Sequence, residues 1–242
     1  GLCDVFTPGA GATAKPNVPV LISSKKEAAA AFGIGSPIYA ACEAIYMRAQ
    51  AVIVAVGVEA AGTPEEQASA IIGGINSTGE RTGLEALLDG KSRFNAQPRL
   101  LIAPGHSARQ AVASAMDALA GRMRAIAIID GPGKDDETAI AYAANFGSKR
   151  LHMVDPGVQV WNTETSSTTD APASAWVGGL FAWTDAEYGF WASPSNKEFV
   201  GITGTTRPIE YLDGDPTCRA NLLNNANITT IIRDDGYRLW GN

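Results

Sequence analysis

The chain has 242 residues, of which 45% are apolar, and it carries a formal net charge of −6 with a pI near 5.0. That apolar content can bury a core, which excludes a chain disordered throughout, and the acidic balance without a run of basic residues argues against a nucleic-acid-binding surface. No apolar stretch reaches the roughly 20 residues of a membrane span, and the first residues lack the pattern of an export signal, so we expect a soluble protein.

The first half of the sequence predicts alternating strands and helices. The segment to Asn17 is rich in Gly, Pro, Ala and Thr, which favours a loop or an extended edge. The apolar and capping patterns then predict a strand at 18–22, a helix that starts at Ser23–Ser24 and runs over 25–32 to Gly33, a helix at 38–50 capped by Ser36, a buried strand at 51–57, and a helix from Thr63 with Ala68, Ile71, Ile72 and Ile75 as its apolar stripe.

The middle of the chain continues this alternation. We predict a short helix at 83–88, a strand at 99–103, a helix from the cap Ser107 to about Arg124, a strand at 125–129, a helix from Asp135 or Asp136 to Phe146 closed by Gly147, and a strand at 149–154. Three successive strand, helix, strand units indicate an α/β fold, with a layered mixed or largely parallel sheet flanked by helices.

The alternation stops after Gly157. We interpret 162–169 as a Ser/Thr-rich loop, 171–191 as a buried helix that packs closely at Gly178 and Gly179, and 208–212 as a short strand. Most of the five tryptophans lie in the apolar segment, so we assign them to the core. The closing stretch predicts a strand from Ile228, a turn at 234–236 and a second strand from Tyr237 to Trp240, and its abrupt end suggests an interrupted domain.

Two aspartates follow predicted strands, where an α/β enzyme places its chemistry. Asp130 and Asp155 are each followed by Gly or Pro, so we favour a turn role in which each aspartate satisfies its own backbone. An α/β hydrolase or nucleotide-binding enzyme with its site near these two residues stays as the alternative. A ligand-binding module would require Trp176 or Trp183 to be exposed.

Other candidate sites match their motifs poorly. The segment 131–134 resembles a phosphate loop but has Ile128 and Asp135 where glycine and a hydroxyl are required. Neither a Gly-x-Ser-x-Gly pattern nor a Gly-Thr-Ser context exists, so we interpret His106 and Ser107 as a loop and an N-cap, and His152 as a strand residue. The spacing of the histidines and cysteines predicts no metal site. We interpret the cysteines as buried or half-buried thiols, as expected in a reducing cytoplasm; they are Cys3, Cys42 and Cys218.

The asparagines near the end suggest side-chain amides that bond loop backbone ahead of a strand. These are Asn221, Asn224, Asn225 and Asn227. The same stretch, from Leu223 through Gly241, resembles the signature of contractile tail sheath proteins of myophages and R-type pyocins, of the compact P2-like type. The signature residues are Asn224, Asn225, Asn227, Gly236, Tyr237, Trp240 and Gly241, and the segments 193–201, 19–24 and 32–33 support the resemblance.

The resemblance implies a structural subunit without catalysis or cofactor. Members of that family form hexameric rings around an inner tube and contract to drive the tube through a target envelope. Neighbouring subunits and the tube would then be the partners, and the virion tail or a tail-like bacteriocin particle, assembled in the host bacterial cytoplasm, would be the location. It also implies that 1–242 is a single α/β core domain, without an N-terminal arm or C-terminal assembly domain. That chain would be monomeric, with Trp240, Gly241 and Asn242 at the junction to the missing part.

Overall fold

The computed structural model describes residues 1–8, 11–163 and 165–241. Parts of three predictions therefore lie outside the described residues: the opening loop at Gly9 and Ala10, the Ser/Thr-rich loop at Glu164, and the junction at Asn242. No helix in the described part of the chain combines the length and the apolar character of a membrane span.

The strands and helices alternate through most of the chain. The strands are β1 (Leu2–Val5), β2 (Val20–Ile22), β3 (Ile53–Val58), β4 (Gly74–Ile75), β5 (Arg81–Thr82), β6 (Leu100–Ile102), β7 (Ile126–Asp130), β8 (Leu151–Val154), β9 (Val158–Asn162), β10 (Ser167–Ala171), β11 (Gly204–Thr205), β12 (Ile228–Arg233) and β13 (Tyr237–Trp240). The α-helices are α1 (Lys25–Phe32), α2 (Pro37–Tyr46), α3 (Pro64–Ile72), α4 (Gly90–Phe94), α5 (Gln110–Met123), α6 (Asp136–Ala143), α7 (Ser174–Tyr188) and α8 (Arg219–Asn225), and a 3-10 helix covers Gly83–Asp89.

Eight strands form the central sheet in the order β13-β12-β8-β7-β6-β1-β3-β2. The ladders between the six inner strands are parallel, and the edge strands β2 and β13 pair antiparallel with β3 and β12. This arrangement confirms the predicted α/β class with a mixed sheet. Two smaller sheets, β10-β9-β11 and β4-β5, accompany it.

The sheet separates two apolar cores. On β3, Ile53 and Ala55 face one core while Val54, Val56 and Val58 face the other, as the period of two along a strand requires. All six residues of β3 are buried, which is why its sequence is apolar without alternation. Helices α1, α2 and α7 cover one face, and α3, α5, α6 and α8 contribute buried residues to the other.

Several predicted helix starts are confirmed by their caps. The hydroxyls of Ser24 and Ser36 accept hydrogen bonds from backbone N–H groups three residues later, and Thr63 forms a reciprocal capping box with Glu66. The apolar stripe assigned to α3 is wrong at one position. Ile75 lies in β4 and is 73% exposed, because Gly73 ends the helix first.

The opening segment contains a central strand, so its prediction as a loop or extended edge is wrong. β1 lies between β3 and β6, and its residues Leu2 and Cys3 are fully buried. With only four residues, one of them the polar Asp4, β1 offers too short a pattern for recognition by periodicity. Its long-range ladders with β3 and β6 stabilise it instead.

The region after Gly157 also differs from its prediction. The residues interpreted as a Ser/Thr-rich loop form much of a hairpin in which β9 pairs antiparallel with β10, because β-branched Thr suits a strand as well as a loop. The strand predicted at 208–212 is absent from the described residues there, although Ile209 is buried. All five tryptophans are described. Trp176, Trp183 and Trp240 are partly buried and pack against the two cores, whereas Trp161 and Trp191 are exposed, so the core assignment is wrong for these two.

Candidate functional site

The carboxyl edge of the parallel strands collects most of the candidate residues. Asp4 lies near the end of β1, Asp130 ends β7, and Asp155 follows β8 directly. His106 and Ser107 lie in the turn after β6, ahead of α5. Parallel strands end at a common edge, which is where ligands bind in many α/β proteins, so the hydrogen bonds here decide whether the edge is a site.

Asp130 is the centre of a buried hydrogen-bond cluster. Its Oδ2 accepts from the hydroxyls of Ser107 at 3.0 Å and Ser174 at 2.7 Å and from the N–H of Gly105 at 3.0 Å, while Oδ1 accepts from Ser174 N at 2.8 Å. Burial raises the pKa of Asp130, and these hydrogen bonds oppose the rise. Both serines are fully buried. The cluster therefore ties the β6 turn to β7 and to the start of α7.

Ser107 is not the N-cap of α5, and that prediction is wrong. The helix begins at Gln110 with Arg109 as its N-cap residue, and the Ser107 hydroxyl accepts from Asp130 N at 2.8 Å. Its partner lies 23 residues away, so a local pattern could not identify it. The predicted loop around His106 is confirmed by the turn.

His106 has a different partner from its neighbour. Its Nε2 lies 3.1 Å from Asp4 Oδ1, whereas Ser107 bonds Asp130. Burial raises the pKa of Asp4, and the hydrogen bond and charge of His106 oppose the rise. The histidine and the serine therefore serve separate carboxylates, which gives no nucleophile and base pair.

Asp155 belongs to a network of ion pairs. Its Oδ1 lies 2.5 Å from Arg207 Nη2, and its Oδ2 accepts from Gly133 N at 2.7 Å. Arg207 also pairs with Asp136, which in turn lies 2.5 Å from Arg219 Nε. Burial opposes ionisation of Asp136, but hydrogen bonds from Arg219 and Arg207 lower its pKa. The network fastens the segment after β11 and the start of α8 to the end of β8.

Asp130 and Asp155 were predicted to form hydrogen bonds with the backbone of their own turns, and this prediction is wrong. Neither carboxylate satisfies its own turn: both bind distant segments that pack over the strand ends. Asp130 is 6% exposed and Asp155 is fully buried, and every carboxylate oxygen is engaged, so a substrate would find no free group. The hydrolase or nucleotide-binding alternative gains no geometric support.

The segment 131–134 also lacks the geometry of a phosphate loop. A Cβ at Gly131 would lie 2.4 Å from Asp155 Oδ2, so the loop packs against a carboxylate that would repel phosphate. The described residues contain no group of three His, Cys, Asp or Glu residues that could hold a metal ion. The three cysteines are buried as predicted, and burial raises the pKa of Cys42 to about 12, which disfavours the thiolate.

The closing stretch forms the predicted strand, turn and strand, with β12 paired antiparallel to β13. The turn has φ of +46° at Asp235 and +107° at Gly236. A Cβ at Gly236 would lie 2.7 Å from Glu198 Oε1, so both its conformation and its packing favour glycine. Asn227, just before β12, also has a positive φ, which asparagine tolerates.

Asn224, Trp240 and Gly241 meet behind this hairpin. With its nitrogen directed at the backbone, the Asn224 amide donates to Ile228 O at 2.8 Å and to Trp240 O at 3.0 Å. Trp240 Nε1 donates to Asn221 Oδ1 at 2.9 Å. A Cβ at Gly241 would lie 2.5 Å from the Asn224 amide. Asparagine bonding to backbone was predicted for a loop, but Asn221, Asn224 and Asn225 lie on α8, and Asn227 lies in the turn before β12.

A short extended segment covers the outer side of β13. Asn196 N donates to Leu239 O at 2.6 Å, Leu239 N to Lys197 O at 3.1 Å, and Phe199 N to Tyr237 O at 2.8 Å. Two of the stretches that carry the resemblance, 193–201 and the closing hairpin, are therefore hydrogen-bonded neighbours. Spacing alone could not have indicated this contact.

Comparison with known proteins gives consistent similarities. A family model described as the phage tail sheath protein central domain matches residues 79–242. The whole chain is 79% identical to a protein of Pseudomonas aeruginosa (strain UCBPP-PA14) named as a prophage major tail sheath protein, and covers 63% of it. Over 233 residues it is 34% identical to the tail sheath protein of Escherichia phage P2, covering 93% of the chain and 59% of that relative. The chain thus spans about three fifths of these two relatives.

Solved structures show the same fold. A chain of the contracted baseplate of the anti-feeding prophage aligns with 99% of this chain and 62% of its own length, at a TM-score of 0.74 and 17% identity. A chain of the contracted helical sheath of that particle aligns with 100% of this chain and 60% of its own length, at a TM-score of 0.65 and 20% identity.

Proposed function

The chain belongs to the phage tail sheath protein family, and from this premise we propose that it is the α/β core of a structural subunit of a contractile tail sheath. The observation that carries the proposal is the family match over 79–242, which includes the closing hairpin and the segment that covers β13. The satisfied carboxylates at the strand ends support a role without catalysis or cofactor.

In the full-length protein, subunits polymerise as hexameric rings around an inner tube and contract to drive the tube through a target envelope. Neighbouring subunits and the inner tube are the partners in this proposal. The location is the virion tail or a tail-like bacteriocin particle, assembled in the bacterial cytoplasm. Relatives named as tail sheath proteins from a prophage and from phages support this assignment.

We assign residues 1–242 to one domain because the central sheet takes β1 from one end of the chain and β13 from the other. The signature residues have a structural role in this proposal. Asn224, Trp240 and Gly241 hold the closing hairpin against α8.

Electron microscopy of the full-length protein tests the proposal. We expect helical tubes of two diameters, corresponding to extended and contracted states. A full-length protein that stays dispersed as single globular particles under all assembly conditions contradicts it.

A further inference from the structure

A cavity of about 550 Å³ lies at the amino ends of β7, β8 and β12, opposite the edge that carries the carboxylates. Helices α6 and α7 end beside it. Its lining combines aromatic and apolar side chains with polar ones, and the residues used below are Phe181, Phe190, Trp191, His152, Lys149 and Asn227.

Two large aromatic side chains stand at the mouth of this cavity. Phe190 is 83% exposed and Trp191 is 77% exposed, with their rings in an edge contact at 5.2 Å between centroids. Gly189 has a φ of +95°, and a Cβ there would lie 2.5 Å from the Trp191 ring, so the backbone is shaped to present the indole. Exposed aromatic pairs around a concavity are typical of protein interfaces.

The polar groups of the cavity also point to a partner. His152 Nε2 is buried without a hydrogen-bond partner among the described residues, and its ring lies against Phe181 at 4.9 Å. Burial lowers the pKa of His152 to about 4, so its ring is neutral near pH 7. Lys149 is exposed, and the lining includes no carboxylate. An apolar group next to a carboxylate would therefore match the aromatic rings of this cavity and the charge of Lys149.

A surface of that chemistry lies at the other end of β12. Leu212 is 56% exposed and the next residue, Asp213, is exposed, as are Asp234 and Asp235 in the turn after β12. Tyr211 Oη donates to Asp213 at 3.4 Å, and desolvation together with the charges of Asp213 and Asp234 raises the pKa of Tyr211, which shows that these groups are close. The first and last of the six residues of β12 are five steps of roughly 3.3 Å apart, which separates this acidic tip from the cavity by about 17 Å.

We propose that, in the assembled sheath, a second copy of this chain docks Leu212 into the cavity beside Trp191 and places Asp213 near Lys149. The inference rests on the proposed function, because it names a contact between sheath subunits. The two surfaces are different and lie at opposite ends of the fold, so the contact is head to tail. A repeated head-to-tail contact builds rings or helical filaments.

Cysteine crosslinking in the assembled full-length protein tests the contact. Ala144 lies beside the cavity lining and Pro216 lies in the loop after Asp213, and both are exposed. The three native cysteines of this chain are buried. On mild oxidation, the double variant Ala144→Cys/Pro216→Cys is expected to give a ladder of crosslinked subunits, whereas each single variant is not.

The outcomes separate the two claims. Tubes that form without a ladder overturn the contact and leave the proposed sheath function standing. A full-length wild-type protein that forms no tubes overturns the proposed function, and the contact falls with it.

Charge reversal provides a second test in the same double-cysteine background. Lys149→Glu is expected to reduce the crosslinked fraction about three- to fivefold, the effect of losing an exposed ion pair and gaining a repulsion. Adding Asp213→Lys is expected to restore it. A combined variant that crosslinks no better than Lys149→Glu alone overturns the pairing.

Discussion

Buried carboxylates at the strand ends of this protein hold the chain together across long sequence distances. Asp130 joins the β6 turn to α7, and Asp155 joins β8 to the segment after β11 through Arg207. Residue types that suggest catalysis thus act as structural links here. The types were visible in the sequence. The partners, 22 to 52 residues away, were not, because only the folded sheet brings them together.

His152 should make stability depend on pH. Its pKa is lowered from 6.5 to about 4 by burial, so between these values the unfolded chain binds more protons than the folded protein. Above about pH 6.5 His152 is neutral in both states and does not change the free energy of unfolding. As the pH falls from 6.5 toward 4, protonation of His152 in the unfolded chain lowers the free energy of unfolding.

The variant His152→Phe lacks this titration and keeps an aromatic ring beside Phe181. We expect the free energy of unfolding of wild type, relative to the variant, to decrease as the pH falls from 7.5 to 4.5. Urea titrations at several pH values measure the difference. If the free energies of unfolding of the two proteins change in parallel with pH, His152 is not the source of the pH dependence.

At the scale of elements, the adjacent glycines Gly178 and Gly179 in α7 provide a test position and a matched control for helix packing. A Cβ at Gly179 would lie 3.0 Å from the backbone Cα and O of Ile45 in α2, whereas at Gly178 the nearest atom, Ile102 Cγ2, is at 3.5 Å. We expect Gly179→Ala to lower the free energy of unfolding by about 1–3 kcal/mol, because the added methyl group overpacks the contact between the two helices. Gly178→Ala should be neutral or stabilise by up to about 1 kcal/mol, because alanine favours the helix.

Thermal or urea unfolding of the two alanine variants checks this difference. Equal effects at both positions would show that the close approach of α2 and α7 at Gly179 is not what requires glycine. The sequence predicted close packing at this pair but could not say which glycine carries it, since that depends on how α2 crosses.

The closing hairpin depends on Asn224 in this structure. Asn224→Ala removes the donors for the carbonyl groups of Ile228 and Trp240, and we expect a loss of about 1–3 kcal/mol in the free energy of unfolding. The control is Asn225→Ala, at an exposed neighbouring position, where a change within about 0.5 kcal/mol is expected. If both variants unfold at the same urea concentration, the proposed role of Asn224 is wrong.

Capping residues and turn residues correctly predicted the helices and the hairpin that contain them. Helices α1, α2 and α3 begin at their capping residues, and the hairpin β12-β13 follows its turn residues. β1 was missed because it is short and is stabilised by non-local ladders, and β10 because Ser and Thr are also loop residues. Residues 196–199 pair with the outer side of β13 through tertiary contacts alone, so no local pattern could predict this pairing.

On the scale of the whole molecule, the sheet uses strands from both ends of the chain, and the outer side of β13 is already hydrogen-bonded. A single docked leucine with one ion pair is far smaller than a stable interface. We therefore expect the 242-residue chain to sediment as a 25.2 kDa monomer at micromolar concentration. A stable hexamer in that experiment would show that this chain alone carries the main assembly contacts.

The most direct test of the sheath assignment is cryo-electron microscopy of the full-length protein in extended and contracted particles. We expect helical tubes in both states, with the eight-stranded sheet and its closing hairpin intact and the domain moving as a rigid body between them. Particles without helical order, or a map in which this sheet is absent from the tube wall, would contradict it.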